Sequence, residues 1–144
     1  MQIRIIQSRD IQTVAHLLLD SFKKPPYNER VSLLAVQKSL RFFLRIGSGF
    51  VALADKKIVG VVYFKVEQYW EGPVVLIEDL AVQPEFQSQG VGKLLLDRVE
   101  RLAKKHKACM VSFVTHSKSP AISFYKKMGY HPNSKRVIFE KRLR

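Results

Sequence analysis

The residues best placed to do chemistry lie in one segment, Leu80-Ala81-Val82-Gln83-Pro84-Glu85-Phe86-Gln87-Ser88-Gln89-Gly90-Val91-Gly92-Lys93. Within it, Gln87 to Gly92 forms a Gln-x-x-Gly-x-Gly pattern between a β-branched run and an amphipathic stretch. Glycines let backbone approach a ligand closely, and a helix starting there offers free N–H groups and the positive end of its dipole to a phosphate. Lys93 can add a point charge. The spacing is not that of the Gly-x-x-x-x-Gly-Lys-Ser/Thr phosphate loop, and two glycines are too few for the dinucleotide fingerprint. A strand-to-helix turn with no ligand shows the same pattern, so the turn alone leaves both readings open.

Other reactive residue types are less organised. Cys109 is the only cysteine, which excludes an internal disulfide and a Cys-rich zinc site. At the start of a strand it is expected to be a small buried residue rather than a nucleophile. His16, His106, His116 and His131 lack a metal-ligand spacing such as His-Glu-x-x-His. They read as surface groups, with His116 the one able to line a pocket. Tyr69 and Trp70 can wall an acceptor site or form an edge packing patch. Arg98, Arg101, Lys104, Lys105 and Lys107 read as the solvated face of a helix.

Hydrophobic periodicity supplies the frame for these residues. A strand at residues 2–6 precedes a helical stripe of Ile11, Val14, Ala15, Leu18 and Phe22, capped by Ser8 or Asp10. A second helix, from about Arg30, carries Leu33, Val36, Leu40, Phe43 and Leu44 and stops at Gly47, where a left-handed end is expected. A hairpin of residues 50–54 and 58–66 turns at Asp55-Lys56-Lys57, and a polar, aromatic loop follows over 67–72. Residues 74–82 read as a long central strand, and Val91, Leu94, Leu95, Val99 and Leu102 as the stripe of the next helix. Residues 110–115 form a strand, and Pro120 opens a helix with Ile122, Tyr125 and Met128 that ends at Gly129. A final strand is expected at 137–143. The order β-α-α-β-β-β-α-β-α-β predicts an α/β fold in the broad sense, equally describable as α+β, with helices on the faces of a mixed sheet.

The chain has 144 residues, a length that suits a single domain over 1–144. With 47% hydrophobic and 26% charged residues, the composition is that of a soluble globular protein rather than a disordered one. No apolar run approaches the roughly 20 residues of a membrane span, and the amino terminus has no basic-then-apolar export signal. A cytoplasmic location is the expectation. Lys and Arg number 25 against 12 Asp and Glu, a net charge of +13. Such an excess attracts polyanions, and nucleic acid or a phosphate-rich cofactor would be steered by the same field.

With these elements in place, the chain resembles the GNAT acetyltransferase superfamily. That family's acetyl-CoA turn, Arg/Gln-x-x-Gly-x-Gly/Ala after a strand ending in Leu-x-Val, is matched by Gln87 to Gly92 after Leu80-Ala81-Val82. Its second signature, Ala-x-x-Phe/Leu-Tyr-x-x-x-Gly-Phe/Tyr, is matched by Ala121-Ile122-Ser123-Phe124-Tyr125-Lys126-Lys127-Met128-Gly129-Tyr130. The resemblance implies acetyl-CoA as co-substrate, with Leu80, Ala81 and Val82 beside the pantetheine arm. It places Gln87, Ser88, Gln89, Gly90, Val91, Gly92 and Lys93 around the pyrophosphate. Tyr125 matches the tyrosine that, in many members, protonates the departing thiolate. Three residues before Ala121, where many members have Asn, stands Lys118, which can reach a phosphate or be solvated.

The same resemblance implies direct attack by a primary amine without a covalent enzyme intermediate, and the amine's proton then needs a collector. Glu78 and Asp79 are adjacent on the central strand, so alternation points them to opposite faces, and Glu78 is favoured as the base. The expected function is an N-acetyltransferase acting on a small-molecule or peptide amine, with no membrane partner and with a homodimer as an open assembly. Two other readings stand beside it. A basic nucleic-acid-binding protein would use the charge, but no zinc-finger, RNA-recognition or basic-heptad signature is present. A non-catalytic acyl-CoA sensor would keep the fold, but Tyr125 speaks for turnover. Acceptor choice rests with the first two helices and the loops, where the resemblance is weakest.

Overall fold

A computed structural model describes all residues, 1–144. Its strands are β1 (Gln2–Ile5), β2 (Ser48–Ala54), β3 (Lys57–Tyr69), β4 (Gly72–Val82) and β5 (Met110–Phe113), in the sheet order β1-β2-β3-β4-β5. The first four pair antiparallel and β5 lies parallel to β4. A crossover helix between β4 and β5 makes that parallel pairing possible. The helices are α1 (Ile11–Phe22), α2 (Leu33–Ile46), α3 (Val91–Lys105) and α4 (Ile122–Lys127).

Strand alternation divides the core in two. Phe50, Ala52, Val62, Phe64 and Val75 face α3, where Val91, Leu95, Leu96, Val99 and Ala103 complete a buried cluster. Val51, Val61, Tyr63 and Ala81 face the other way, onto Ile11, Val14, Leu17 and Leu18 of α1 and Leu40 of α2. Each fully buried Val or Leu in these layers contributes roughly 1.5–3 kcal/mol, so the two layers clamp the sheet that positions the site. No helix is long and apolar enough to cross a membrane.

Several local expectations differ from what is found. Gly47 is extended, with φ −141°, rather than left-handed. Its reason is space, because a Cβ there would lie 2.3 Å from the carbonyl oxygen of Phe64. Asp10 does not cap α1. Its carboxylate turns back to accept from Gln7 N (2.8 Å) and from both terminal nitrogens of Arg4 (2.7 and 3.0 Å). That partnership holds the Asp10 carboxyl below the usual carboxylate range, through the hydrogen bond from Arg4 first. The loop expected over 67–72 is instead the tip of the β3–β4 hairpin, since Glu67, Gln68 and Tyr69 stay paired with Val74, Pro73 and Gly72. Leu94 is exposed and Leu96 takes the buried place on α3. Cys109 is exposed, its thiol donating to Pro73 O at 3.4 Å.

The last expected strand, 137–143, does not form, so the observed order is one strand short. A strand exists only as part of a ladder, and the segment meets none within its own chain. Residues 131–144 are exposed throughout.

Candidate active site

β4 and β5 part before β4 ends. Their ladder runs from Val74–Met110 to Ile77–Phe113 and stops, while on its other side β4 stays paired to β3 as far as Val82. Residues 78–82 therefore present a free backbone edge, where an extended chain of amides can add as a strand does. Leu80 and Val82 lean against the α3-side core, whereas Ala81 is buried on the α1 side, so Ala81 offers that edge only its backbone.

Beyond β4 a 3-10 turn at Pro84–Phe86 leads into the glycine segment. The side-chain amides of Gln87 and Gln89 donate to Val82 O (3.0 Å) and Glu85 O (2.8 Å), tying the turn to the strand it follows. Gly90 takes the left-handed conformation, φ +84°, and a Cβ on it would meet no protein atom within 4 Å. The first ladder bond of α3 runs from Leu94 N to Gly90 O (3.0 Å), so the amides of Val91, Gly92 and Lys93 have no acceptor inside the helix. Gly92 has a different task. A Cβ on it would sit 3.1 Å from the Phe124 ring, so its smallness lets the second signature pack onto the first. Ser88 is exposed with φ 62°. The Lys93 ammonium is paired with Asp97 one turn along α3, at 2.7 Å. An open turn, spare amides and a free strand edge are the features that fit a pyrophosphate with its pantetheine arm.

The central strand carries a bulge at the decisive place. Tyr63 pairs with Asp79 and Phe64 with Ile77, which leaves Glu78 as an extra residue opposite no partner on β3. Strict alternation is lost there. Glu78 is exposed, while Asp79 lies beside Tyr63 and accepts a short hydrogen bond from its hydroxyl. Burial pushes the Asp79 carboxyl up to about 6, with the charges of Glu78 and Glu29 adding to the rise and the Tyr63 bond opposing it. Burial and the neighbouring Asp79 raise the Tyr63 phenol well above its ordinary value, so that phenol stays a donor.

Tyr125 approaches from the other face of the sheet, its ring 4.6 Å from that of Phe113. Burial pushes its phenol up to about 12, with Tyr27 and Asp79 adding to the rise. Asp79 and Tyr125 influence each other through the opening where β4 and β5 have separated. Tyr27, in the α1–α2 loop, shares a hydrogen bond with the buried Ser119 (2.7 Å) and sets its ring against Phe22 and His116, at 4.9 and 6.2 Å. Ser119 Oγ also accepts from Ala121 N (3.2 Å) at the head of α4.

Of the residues expected at the site, the glycine turn, the β4 edge and Tyr125 are brought to one end of the sheet. Lys118 lies exposed in the β5–α4 loop, its backbone N–H donating to His116 Nδ1 at 3.0 Å. Trp70 sits fully exposed at the hairpin tip, at the opposite end of β4 from Asp79. The residues that sequence reasoning did not single out are Tyr27, Tyr63 and Ser119. Their signals were weak because they come from three separate elements.

The pattern defining the Acetyltransferase (GNAT) family matches residues 11–130. The chain is 33% identical over 93 residues to the N-terminal acetyltransferase B complex catalytic subunit NAA20 of Arabidopsis thaliana, covering 61% of this chain and 48% of that one. It therefore spans about half the length of that relative. Among solved structures, a possible acetyltransferase from Clostridium difficile 630 superposes with TM-score 0.86 at 15% identity, covering 99% of this chain and 98% of that one. An aminoglycoside N-acetyltransferase, AAC(6')-Iy in complex with CoA, superposes with TM-score 0.80 at 20% identity, covering 99% and 94%. With the fold shared and the signature region matched, this chain belongs to the GNAT family of acetyltransferases, whose members draw on acetyl-CoA.

Proposed function

We propose that this chain is an acetyl-CoA-dependent N-acetyltransferase that modifies a primary amine by direct attack, without a covalent enzyme intermediate. The observation that carries this reading is the pairing of a buried carboxylate, Asp79, with a protonated phenol, Tyr125, across the opening beside the glycine turn. A primary amine arrives as an ammonium ion and must lose a proton before it attacks. Asp79, ionised above a pH of about 6, accepts that proton while Tyr63 holds its carboxylate in place. As the C–N bond forms and the C–S bond breaks, Tyr125 donates its hydroxyl proton to the departing sulfur.

Of the two adjacent carboxylates, Asp79 suits the base better than Glu78, because it is partly buried and oriented. Glu78 contributes through its charge, which with that of Glu29 raises Asp79 and draws in a cation. The amides of Val91, Gly92 and Lys93 and the open space at Gly90 are assigned to the pyrophosphate, with the backbone of 80–82 beside the pantetheine. Lys118 is assigned a phosphate contact by side-chain extension alone.

The acceptor class follows from the same groups. Carboxylates beside the aromatic rings of Tyr27, Tyr63 and Tyr125 suit an ammonium group, and the relatives named for peptide amino-terminal and aminoglycoside acetylation support an amine on either kind of molecule. The test is a panel of peptide amino termini and small amines incubated with acetyl-CoA, read by release of free thiol and the mass of the product. Acetylated amine is the expected result. Thiol release no faster than without acceptor across the whole panel would overturn the reading.

A further inference from the structure

The segment that the sequence marks as a strand, and that finds no ladder, is the part of the molecule the acetyl-transfer reading leaves unused. Val137, Ile138, Phe139 and Leu143 are all exposed, Phe139 at 92%. A β-branched and aromatic run of this kind is poorly suited to solvent and well suited to a pleated surface. At the other end of the sheet order, β5 pairs only with β4. Its outer edge is therefore open. Natural edges are guarded by Lys, Pro or a covering element, but β5 reads Met-Val-Ser-Phe with Met110 and the following Val114 exposed.

We propose that residues 137–143 add as a sixth strand to the free edge of β5 in a second copy of this chain, and that the first copy receives the second's tail in return. This inference stands apart from the identity of the acceptor amine. The geometry favours another copy over the tail's own β5. Tyr130 is anchored, its hydroxyl donating to Glu100 (2.8 Å) and its ring 5.1 Å from Phe113. A turn then follows, closed by Lys135 N to Asn133 Oδ1 (3.0 Å) and Arg136 N to Asn133 O (3.4 Å), and beyond it the tail lies on solvent rather than on β5. Pairing with its own β5 would require undoing that turn.

Reach and area are both sufficient. Extended, the 13 residues 131–143 span about 40 Å, against a radius of gyration of about 15 Å for a domain of this length. The four apolar side chains of each tail offer roughly 500 Å² to cover. Two tails and their receiving surfaces together exceed the 1,200 Å² or so at which stable interfaces begin. Exchange is reciprocal, so it closes at two copies and leaves no growing edge. The added strand would also lie against Phe113, whose ring packs on Tyr125, and so wall the side of the site that one copy leaves open.

The test is sedimentation of the full chain over the micromolar range, compared with Phe139→Asp. Wild type is expected at twice the chain mass of 16.6 kDa, and Phe139→Asp, a change at an exposed position, is expected to weaken the dimer about 100-fold. Retention of the CoA-induced rise in Tm in that variant shows that its fold is intact, and separates this inference from the acetyl-CoA reading. Oxidative trapping supplies the second arm. Cys109 is exposed and immediately precedes β5, so Ile138→Cys or Leu143→Cys, according to strand direction, is expected to form a disulfide-linked dimer that Cys109→Ser abolishes. A wild-type monomer, a dimer indifferent to Phe139→Asp, or a cross-link confined within single chains would overturn the proposal.

Discussion

The two halves of the candidate site are built by different means. The half that fits the cofactor is mostly backbone: an edge of β4, spare amides at the start of α3 and a left-handed glycine, held within one continuous stretch of the chain. The half that would receive the acceptor is mostly side chain, with Tyr27 from the α1–α2 loop, Tyr63 from β3, Asp79 from β4 and Ser119 from the β5–α4 loop. Backbone recognition constrains residue type at few positions but constrains it hard. Side-chain recognition spreads its demands over many positions, each tolerant, and so can be retuned for a new acceptor without disturbing the turn.

Breaking the backbone half should have the largest effect. Gly90→Val puts a β-branched residue at φ +84°, a conformation such residues rarely adopt, and directs its side chain into the space assigned to the pyrophosphate. CoA is expected to raise the Tm of the wild type through binding to the native state and to leave this variant unshifted. A normal Tm rise in Gly90→Val would show that the phosphate lies elsewhere.

Tyr125→Phe should come next. It keeps the ring against Phe113 and removes only the hydroxyl, so CoA binding should persist while kcat falls about 10²–10⁴-fold if proton donation is its role. Titration calorimetry with CoA and steady-state rates on an accepted amine separate the two. Full turnover in the variant would leave the thiolate to be protonated by water or by the substrate.

The contrast between backbone and side chain also explains what was legible in the sequence. Gln87 to Gly92 and Ala121 to Tyr130 could be recognised because a turn and a helix-packing glycine admit few residue types. Asp79 could not be separated from Glu78, since strand alternation knows nothing of a bulge. The bulge shows itself only in the pairing of Tyr63 with Asp79 and Phe64 with Ile77. Gly47 ended α2 as expected, but for the close approach of Phe64 O, a tertiary contact no local rule contains. Residues 137–143 carry strand composition, and composition is silent about whether a partner strand is at hand.

Asp79 sharpens the comparison through pH. If it is the base, kcat/KM should rise with pH through about 6, the value to which burial lifts it. Asp79→Asn should lose that limb and regain rate only where the free amine is itself deprotonated. Glu78→Gln should keep the limb but move it to lower pH, because the Glu78 charge is one of the influences raising Asp79. A profile that loses its limb in Glu78→Gln and keeps it in Asp79→Asn would return the role to Glu78. Stability runs the other way. The native state binds the Asp79 proton more tightly than the unfolded chain does, so its contribution is present below the unfolded carboxylate value near 4 and is lost as pH rises through about 6. Asp79→Asn should therefore raise the Tm at pH 7 to 8, a gain that shrinks toward pH 4.

The smallest effect is expected at Tyr27, the residue that ties the acceptor loop to the head of α4. Tyr27→Phe removes one hydrogen bond to Ser119, whose Oγ keeps its bond from Ala121 N, so the expected cost is about 1 kcal/mol. If Tyr27 positions the acceptor loop, that cost should appear as a rise of about five-fold in the acceptor KM. The KM for acetyl-CoA should stay unchanged, because no atom of the glycine turn is touched. A matching rise in the acetyl-CoA KM would mean that the Tyr27–Ser119 bond braces α4 and Tyr125 as well, and that the two halves of the site are mechanically one.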